Sequence, residues 1–249
     1  MLPFFASWLP VDLDSATFSA TTVSEAIDDL PILTDHLSDD ARALRGDFRL
    51  PLEYQGSAHS RFAQLMRNWP GLIAPALVSD HVVRRTPRDY ETFRRMRHGD
   101  RYPQAIAIAC QRLAEEIDRH RAAGGVIEPG GEEERRLIRQ FIPPYPDEIF
   151  VDKWRKLFPG QPSWTVPAHL SKDTYSHIHH DSEQARMISP REAARLQSFP
   201  DAFAFAGNMG DCFRQIGNAV PPLLAWAIAA KVLDLLGVEG GSVTPWANP

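Results

Sequence analysis

The stretch RQIGNAVPPLLAWAIAAKVLDLLG, residues 214–237, decides how this chain is read. From Pro222 onward it is apolar almost all round, with Lys231 and Asp234 as its charged positions and Gly237 as a stop. A helix without a polar face needs cover on both sides, so the pattern predicts a helix over 222–236 packed between other elements. That run falls short of the ~20 residues that cross a bilayer. Its mouth is unusual: Gly217, Asn218, Ala219 and Val220 lead into Pro221-Pro222, and neither Gly nor Asn is there for helix propensity. Gly217 permits close backbone approach, Asn218 carries an amide that donates and accepts, and Val220 supplies an apolar wall. The mouth reads as a loop built to meet something.

Upstream, ISPREAARLQSFPD at 188–201 is a strongly signalled helix start. Ser189 serves as N-cap, Pro190 as the first helical residue and Glu192 closes a capping box; Pro200 forces an early stop at Phe199. PSWTVPAHLSKDTYSHIHHD, 162–181, suits short strands around an SKD turn. His177 and His179 would then share a strand face with His169 within reach, the beginnings of a metal site. No cysteine or suitably spaced carboxylate pair completes it, so no metal is assigned. PQAIAIACQRLAEEIDRHRAAGG, 103–125, reads as a helix with Cys110 on its apolar stripe as a core thiol. GGVIEPGGEEERR, 124–136, reads as an exposed connection.

The 249 residues, 43% hydrophobic and 24% charged, are enough for one large domain or two modest ones. A net charge of −5 argues against a protein that coats nucleic acid indiscriminately. Two cysteines make neither a disulfide framework nor a four-cysteine zinc site, which fits a reducing, cytoplasmic setting. The opening MLPFFASWLP lacks the basic flank of a signal peptide, so the expectation is a soluble protein with no membrane partner. Charge is uneven, however. Residues 84–101 hold seven arginines against three acids, either a site for an anionic partner or a solvated face with internal ion pairs.

RMISPREAARLQSFPD and RQIGNAVPP resemble the last two shared motifs of the bacterial DNA (cytosine-5)-methyltransferases, in order and at the right spacing. DKWRKLFPGQPSWTVPAHLSKDTYSHIHHDSEQAR resembles the target-recognition region ahead of them, and TTVSEAIDDLP at 21–31 resembles the segment that follows the catalytic motifs. The family's Phe-x-Gly-x-Gly cofactor loop, Pro-Cys nucleophile, Glu-Asn-Val acid and Gln-x-Arg-x-Arg strand have no counterpart here. Cys110 follows Ala109 and Cys212 sits in GDCFR, so neither has the nucleophile's context and no catalytic residue is assigned.

The resemblance implies an α/β fold: the C-terminal portion of a Rossmann-like S-adenosylmethionine-dependent methyltransferase with a mixed α+β target-recognition domain. It implies a connecting segment at 1–32, a recognition region at 33–185 and helices completing the methyltransferase domain at 186–237; the tail VEGGSVTPWANP, 238–249, itself reads as disordered. Phe199, Asn218, Ala219 and Val220 correspond to residues lining the S-adenosylmethionine pocket. Arg186, Arg191, Glu192 and Arg195 correspond to residues that hold the recognition domain in place. Thr165 and Val166 match a pair common in recognition domains, with His169 and Lys172 nearby. Arg84, Arg85, Arg88, Arg94, Arg95 and Arg97 become candidates for contact with double-stranded DNA. The implied activity flips a cytosine out of the duplex and attacks it with a cysteine that this sequence lacks. The chain is therefore expected to be inactive alone and to partner a catalytic subunit carrying the Pro-Cys motif, in a restriction-modification setting. The alternatives are a non-catalytic DNA-binding module and a truncated methyltransferase gene product.

Overall fold

The computed structural model describes residues 20–38, 50–146, 153–172 and 174–237. The expected tail and most of the connecting segment lie outside these. Helix α1 (Val23–Ile27) begins with a capping box: Thr22 Oγ1 accepts from the Glu25 N–H, and the Glu25 carboxylate accepts from the Thr22 N–H. It packs against α2 (Arg61–Arg67) and α6 (Pro190–Leu196). Helix α6 has the expected Ser189–Glu192 box, and all its residues from Pro190 to Arg195 are buried. Its start is no solvated surface turn. Helix α7 (Met209–Asn218) is capped by Asn208 and Asp211 and packs on a short 310 turn, Ala168–Ser171. Helix α8 (Pro222–Leu235) follows. One apolar cluster joins Val23, Ile27, Leu30, Phe62, Met66 and Val78 to Val166, Leu170, Phe199, Phe213 and Ile216. Distant segments share this core, including parts of all three expected regions.

A second cluster is aromatic and lies around α3 (Tyr90–Arg95) and α4 (Tyr102–Ala122). Trp154 stacks on Tyr175 at 4.7 Å and contacts Phe93 and Tyr102. Helix α5 (Glu132–Phe141) returns along α4, so the expected connection at 124–136 is cut short by a helix. Cys110 is exposed, contrary to the core thiol expected. The buried stripe of α4 runs through Tyr102, Ala105 and Ala109, and one residue further turns the side chain by ~100°.

The strands expected at 162–181 do not form, and among the described residues pairing is limited to isolated bridges. Around Ile178 three short segments meet. Ile178 donates to Arg155 O and accepts from Leu157 N, while His179 donates to Arg186 O. Pro162 and Pro167 remove ladder donors on one side, and Ala168–Ser171 winds into its 310 turn. The described part of the expected α/β fold is consequently helical.

Candidate functional site

Three buried guanidiniums organise the molecule. Arg186 grips both oxygens of Glu192 at 2.7 and 2.8 Å and the Gln184 side-chain carbonyl. Arg191 reaches Ser79 O, Ser79 Oγ, Asp80 Oδ2 and Phe203 O, tying residues 79–80 to the loop after α6. Arg195 uses all five of its donors on Asp29, Asp201 and the Ala26 carbonyl. Arg67 joins Asp29 from α2, and Tyr54 donates to Asp201 at 2.7 Å. Four arginines thus meet Asp29, Asp80, Glu192 and Asp201 in a buried frame. Burial alone would raise the Glu192 carboxyl, but Arg186 and His179 outweigh it and hold it well below the usual range. Asp80 and Ser198 adopt left-handed backbone at φ 58°, and each is pinned: Asp80 O accepts from Arg191 N, and Ser198 Oγ accepts from Leu223 N.

Histidines fill the gaps of the frame in neutral form. His81 sits with one ring nitrogen 2.7 Å from Pro31 O, which requires an N–H there, so its other nitrogen accepts from the Ser189 hydroxyl. Burial lowers His81 and His179 to about 4 and His177 to about 3. The metal-site geometry weighed for His169, His177 and His179 does not arise. His177 packs against Trp164, His179 faces Glu192, and His169 points from the exposed face of the 310 turn.

The mouth of α8 differs from the loop read in the sequence. Gly217 and Asn218 are the last residues of α7, and a side chain at 217 would stand 2.5 Å from Pro167 O and from the Ala168 backbone. Gly217 is thereby needed for helix-on-turn contact within this chain. Asn218 and Val220 are exposed, Ala219 is half-buried, and Phe199 lies in the core beside Phe203 and Phe205. A cavity of 370 Å³ opens nearby, lined by residues including Thr22, Phe62, Trp164, Thr165, Gln197 and Pro221.

Helix α8 is not covered as expected; none of its residues is buried. Leu224, Ile228, Val232 and Leu235 form a stripe of one face, 46–63% exposed. Leu223, against the first core cluster, and Trp226, edge-on to Trp69, anchor the other side. Met209–Leu235 together has the length and hydropathy of a membrane span. The break at Ala219–Pro221 divides that run into α7, which carries the Asp211–Arg214 pair, and the more uniformly apolar α8, which carries the Lys231–Asp234 pair.

The six arginine candidates are not equivalent. Arg88 pairs with Asp89, Arg94 with Glu91, and Arg95 with both Glu91 and Glu115. Arg84 donates to the carbonyls of Ser171 and Lys172. Arg85 and Arg97 are exposed, as are Thr165, His169 and Lys172.

A family model described as C-5 cytosine-specific DNA methylase matches residues 76–234, more than half of the chain. The chain belongs to that family. An Oceanobacillus iheyensis protein named as a type II methyltransferase is 41% identical over 222 residues, 89% of this chain and 45% of that protein. The type II methyltransferase M.AgeI of Thalassovita gelatinovora is 34% identical over 230 residues, 86% of this chain and 51% of its own. The chain therefore spans about half the length of the curated methylases it matches. A crystal structure of a protein named as a DNA modification methyltransferase from an E. coli prophage aligns with 93% of this chain and 53% of its own. Its TM-score is 0.52 at 18% identity, a likeness of fold.

The frame's carboxylates, Asp29, Asp80 and Asp201, were not singled out in the sequence, nor were His81 and Gln197. Asp29 is one of several acids in an acidic stretch, and nothing in local periodicity marks it as the partner of an arginine 166 positions away.

Proposed function

We propose that this chain is the target-recognition and cofactor-wall part of a DNA (cytosine-5)-methyltransferase whose nucleophile and main S-adenosylmethionine loop lie on polypeptide outside this sequence. The observation that carries this reading is the exposed apolar stripe of α8, which begins directly after a mouth at which Asn218 and Val220 are exposed. A stripe of this size on a helix anchored along one side is suited to a protein surface. In this reading that surface is the catalytic domain, and it brings the mouth against the cofactor. Asn218 would hydrogen-bond the cofactor, Ala219 and Val220 would wall it, and Phe199 would support them from the core. Bound S-adenosylmethionine would supply the methyl group. The frame of Arg186, Arg191, Glu192 and Arg195 would hold the recognition region, 33–185, on the helices of 186–237.

Exposed Arg85, Arg97, Thr165, His169 and Lys172 are the residues best placed for duplex DNA, since Arg88, Arg94 and Arg95 already have carboxylate partners. The chain alone should not methylate. Coexpression with a polypeptide carrying the family's Pro-Cys motif, encoded beside it, is expected to yield a complex that transfers labelled methyl groups to duplex DNA. A catalytic polypeptide that stays separate, or a complex without transfer, removes this reading. A DNA-binding module without chemistry is favoured only by the completeness of the buried frame within this chain, and it leaves the α8 stripe without a purpose.

A further inference from the structure

The recognition turn is fastened at three points, two of them on the end of α7. At the first, α7 lies so close to the Pro167–Ala168 backbone that position 217 has no room for a Cβ. At the second, the Gln197 amide reaches Ile216 O at 3.3 Å and Val166 O at 3.5 Å, bridging the end of α7 to the recognition pair. At the third, Arg84 closes the far end of the turn through Ser171 O at 2.9 Å and Lys172 O at 3.1 Å. Buried Val166 and Leu170 fill the interior of the same turn against Phe213 and Ile216. What remains outward is Thr165, His169 and Lys172 on the turn, and Asn218 and Val220 at the end of α7.

We infer that Arg84 and Gly217 are positioning residues for DNA target discrimination: Gly217 lets the 165–172 turn pack as one rigid body with the end of α7 that carries the cofactor wall, and Arg84 fixes the turn's far end. This rests on the function proposed above. It assigns Arg84 a role different from a phosphate contact, because two of its donors are directed at the backbone carbonyls of the turn. It also assigns Gly217 to the DNA side, through the turn it touches. Packed elements of this kind shift as units, so a displaced α7 end carries the turn with it.

The two roles for Arg84 separate by salt dependence. A lost phosphate contact weakens all sequences alike and lowers the salt slope by ~1, whereas a loosened reading turn flattens preference among sequences. The test selects from a pool of randomised 20-base-pair duplexes with the full chain, then measures affinity for enriched and unselected duplexes from 50 to 200 mM salt. Arg84→Gln and Gly217→Ala are compared with wild type, and thermal melts establish that each variant folds. Arg84→Gln changes a half-exposed side chain and keeps the fold if Gly217→Ala does not. We expect wild type to enrich a sequence and both variants to lose tenfold or more of that preference, Gly217→Ala with an unchanged salt slope. Uniform weakening by Arg84→Gln with a slope reduced by ~1, or wild-type preference in a folded Gly217→Ala variant, overturns the inference alone. A wild-type chain that enriches no sequence overturns the inference, while methyl transfer by the complex decides the proposed function separately.

Discussion

Arg195→Ala is the most exacting perturbation of the frame. Arg195 is fully buried and makes contacts of 2.5 and 2.6 Å to Asp201, 3.0 and 3.2 Å to Asp29, and 3.0 Å to Ala26 O. Burial alone would lower its affinity for a proton; the two carboxylates outweigh that and raise it above the ordinary guanidinium value. Truncation to alanine leaves Asp201 buried with the Tyr54 hydroxyl as its remaining side-chain donor, while Asp29 keeps Arg67. Removing one partner of a buried pair costs about 3–5 kcal/mol because the other charge is stranded. Single domains hold about 5–15 kcal/mol in total, so the variant should sit at the edge of folding.

The assay is urea unfolding of the full chain followed by tryptophan fluorescence and far-ultraviolet circular dichroism. Arg195→Ala should lower stability by at least 3 kcal/mol, and Arg195→Lys by less, since lysine restores the charge but not the five-donor fork. Adding Asp201→Asn to Arg195→Ala should recover more than about 1 kcal/mol by removing the stranded charge. A loss below about 1 kcal/mol for Arg195→Ala would refute the claim that the frame holds the core together. So would a double variant whose loss is simply the sum of the two single losses.

Acid should unfold the chain early. His81, His179 and His177 fall from 6.5 to about 4, 4 and 3 on folding, so the unfolded state binds protons first as pH drops. Their contribution is intact above pH 6.5 and is lost as pH falls toward 4, about 2 kcal/mol each by pH 5. Urea midpoints at pH 7.5 and 5.0 check this; equal midpoints would contradict it, and His81→Asn should shrink the difference. Ile228→Glu together with Val232→Glu should leave the melting temperature of the isolated chain nearly unchanged, because both residues are exposed, yet abolish copurification with the catalytic polypeptide. Retained copurification would place the partner elsewhere. Arg85→Ala and Arg97→Ala should each reduce the salt slope of duplex binding by ~1, and Arg94→Ala by less, since its charge is offset by Glu91.

How much of this was legible in the sequence follows from the range of each interaction. Helix α6 was legible because its cap, first-turn proline and stop are local, and the structure repeats the Ser189–Glu192 box that the spacing indicates. Helix α8 was legible as a helix, but its surroundings were not. An apolar surface says that cover is needed and not where the cover is encoded. The strands at 162–181 failed since β-propensity reports fit to a neighbouring strand, and the neighbours here offer single bridges around Ile178 and no ladder. Gly217 is the most instructive case. Its presence correctly signalled a close backbone approach, but sequence alone cannot name what approaches, and in this chain it is Pro167 and Ala168. The Asn218 and Val220 that follow it remain exposed, so under the proposed function the short run 217–220 would serve two neighbours: the glycine meets the recognition turn, and Asn218 and Val220 would meet a catalytic domain. Gly217→Ala should therefore disturb target preference more than cofactor affinity, and Asn218→Ala the reverse. Kd values for duplex and for S-adenosylmethionine on the assembled complex measure both, and identical losses in the two variants would show the run to be a single functional unit.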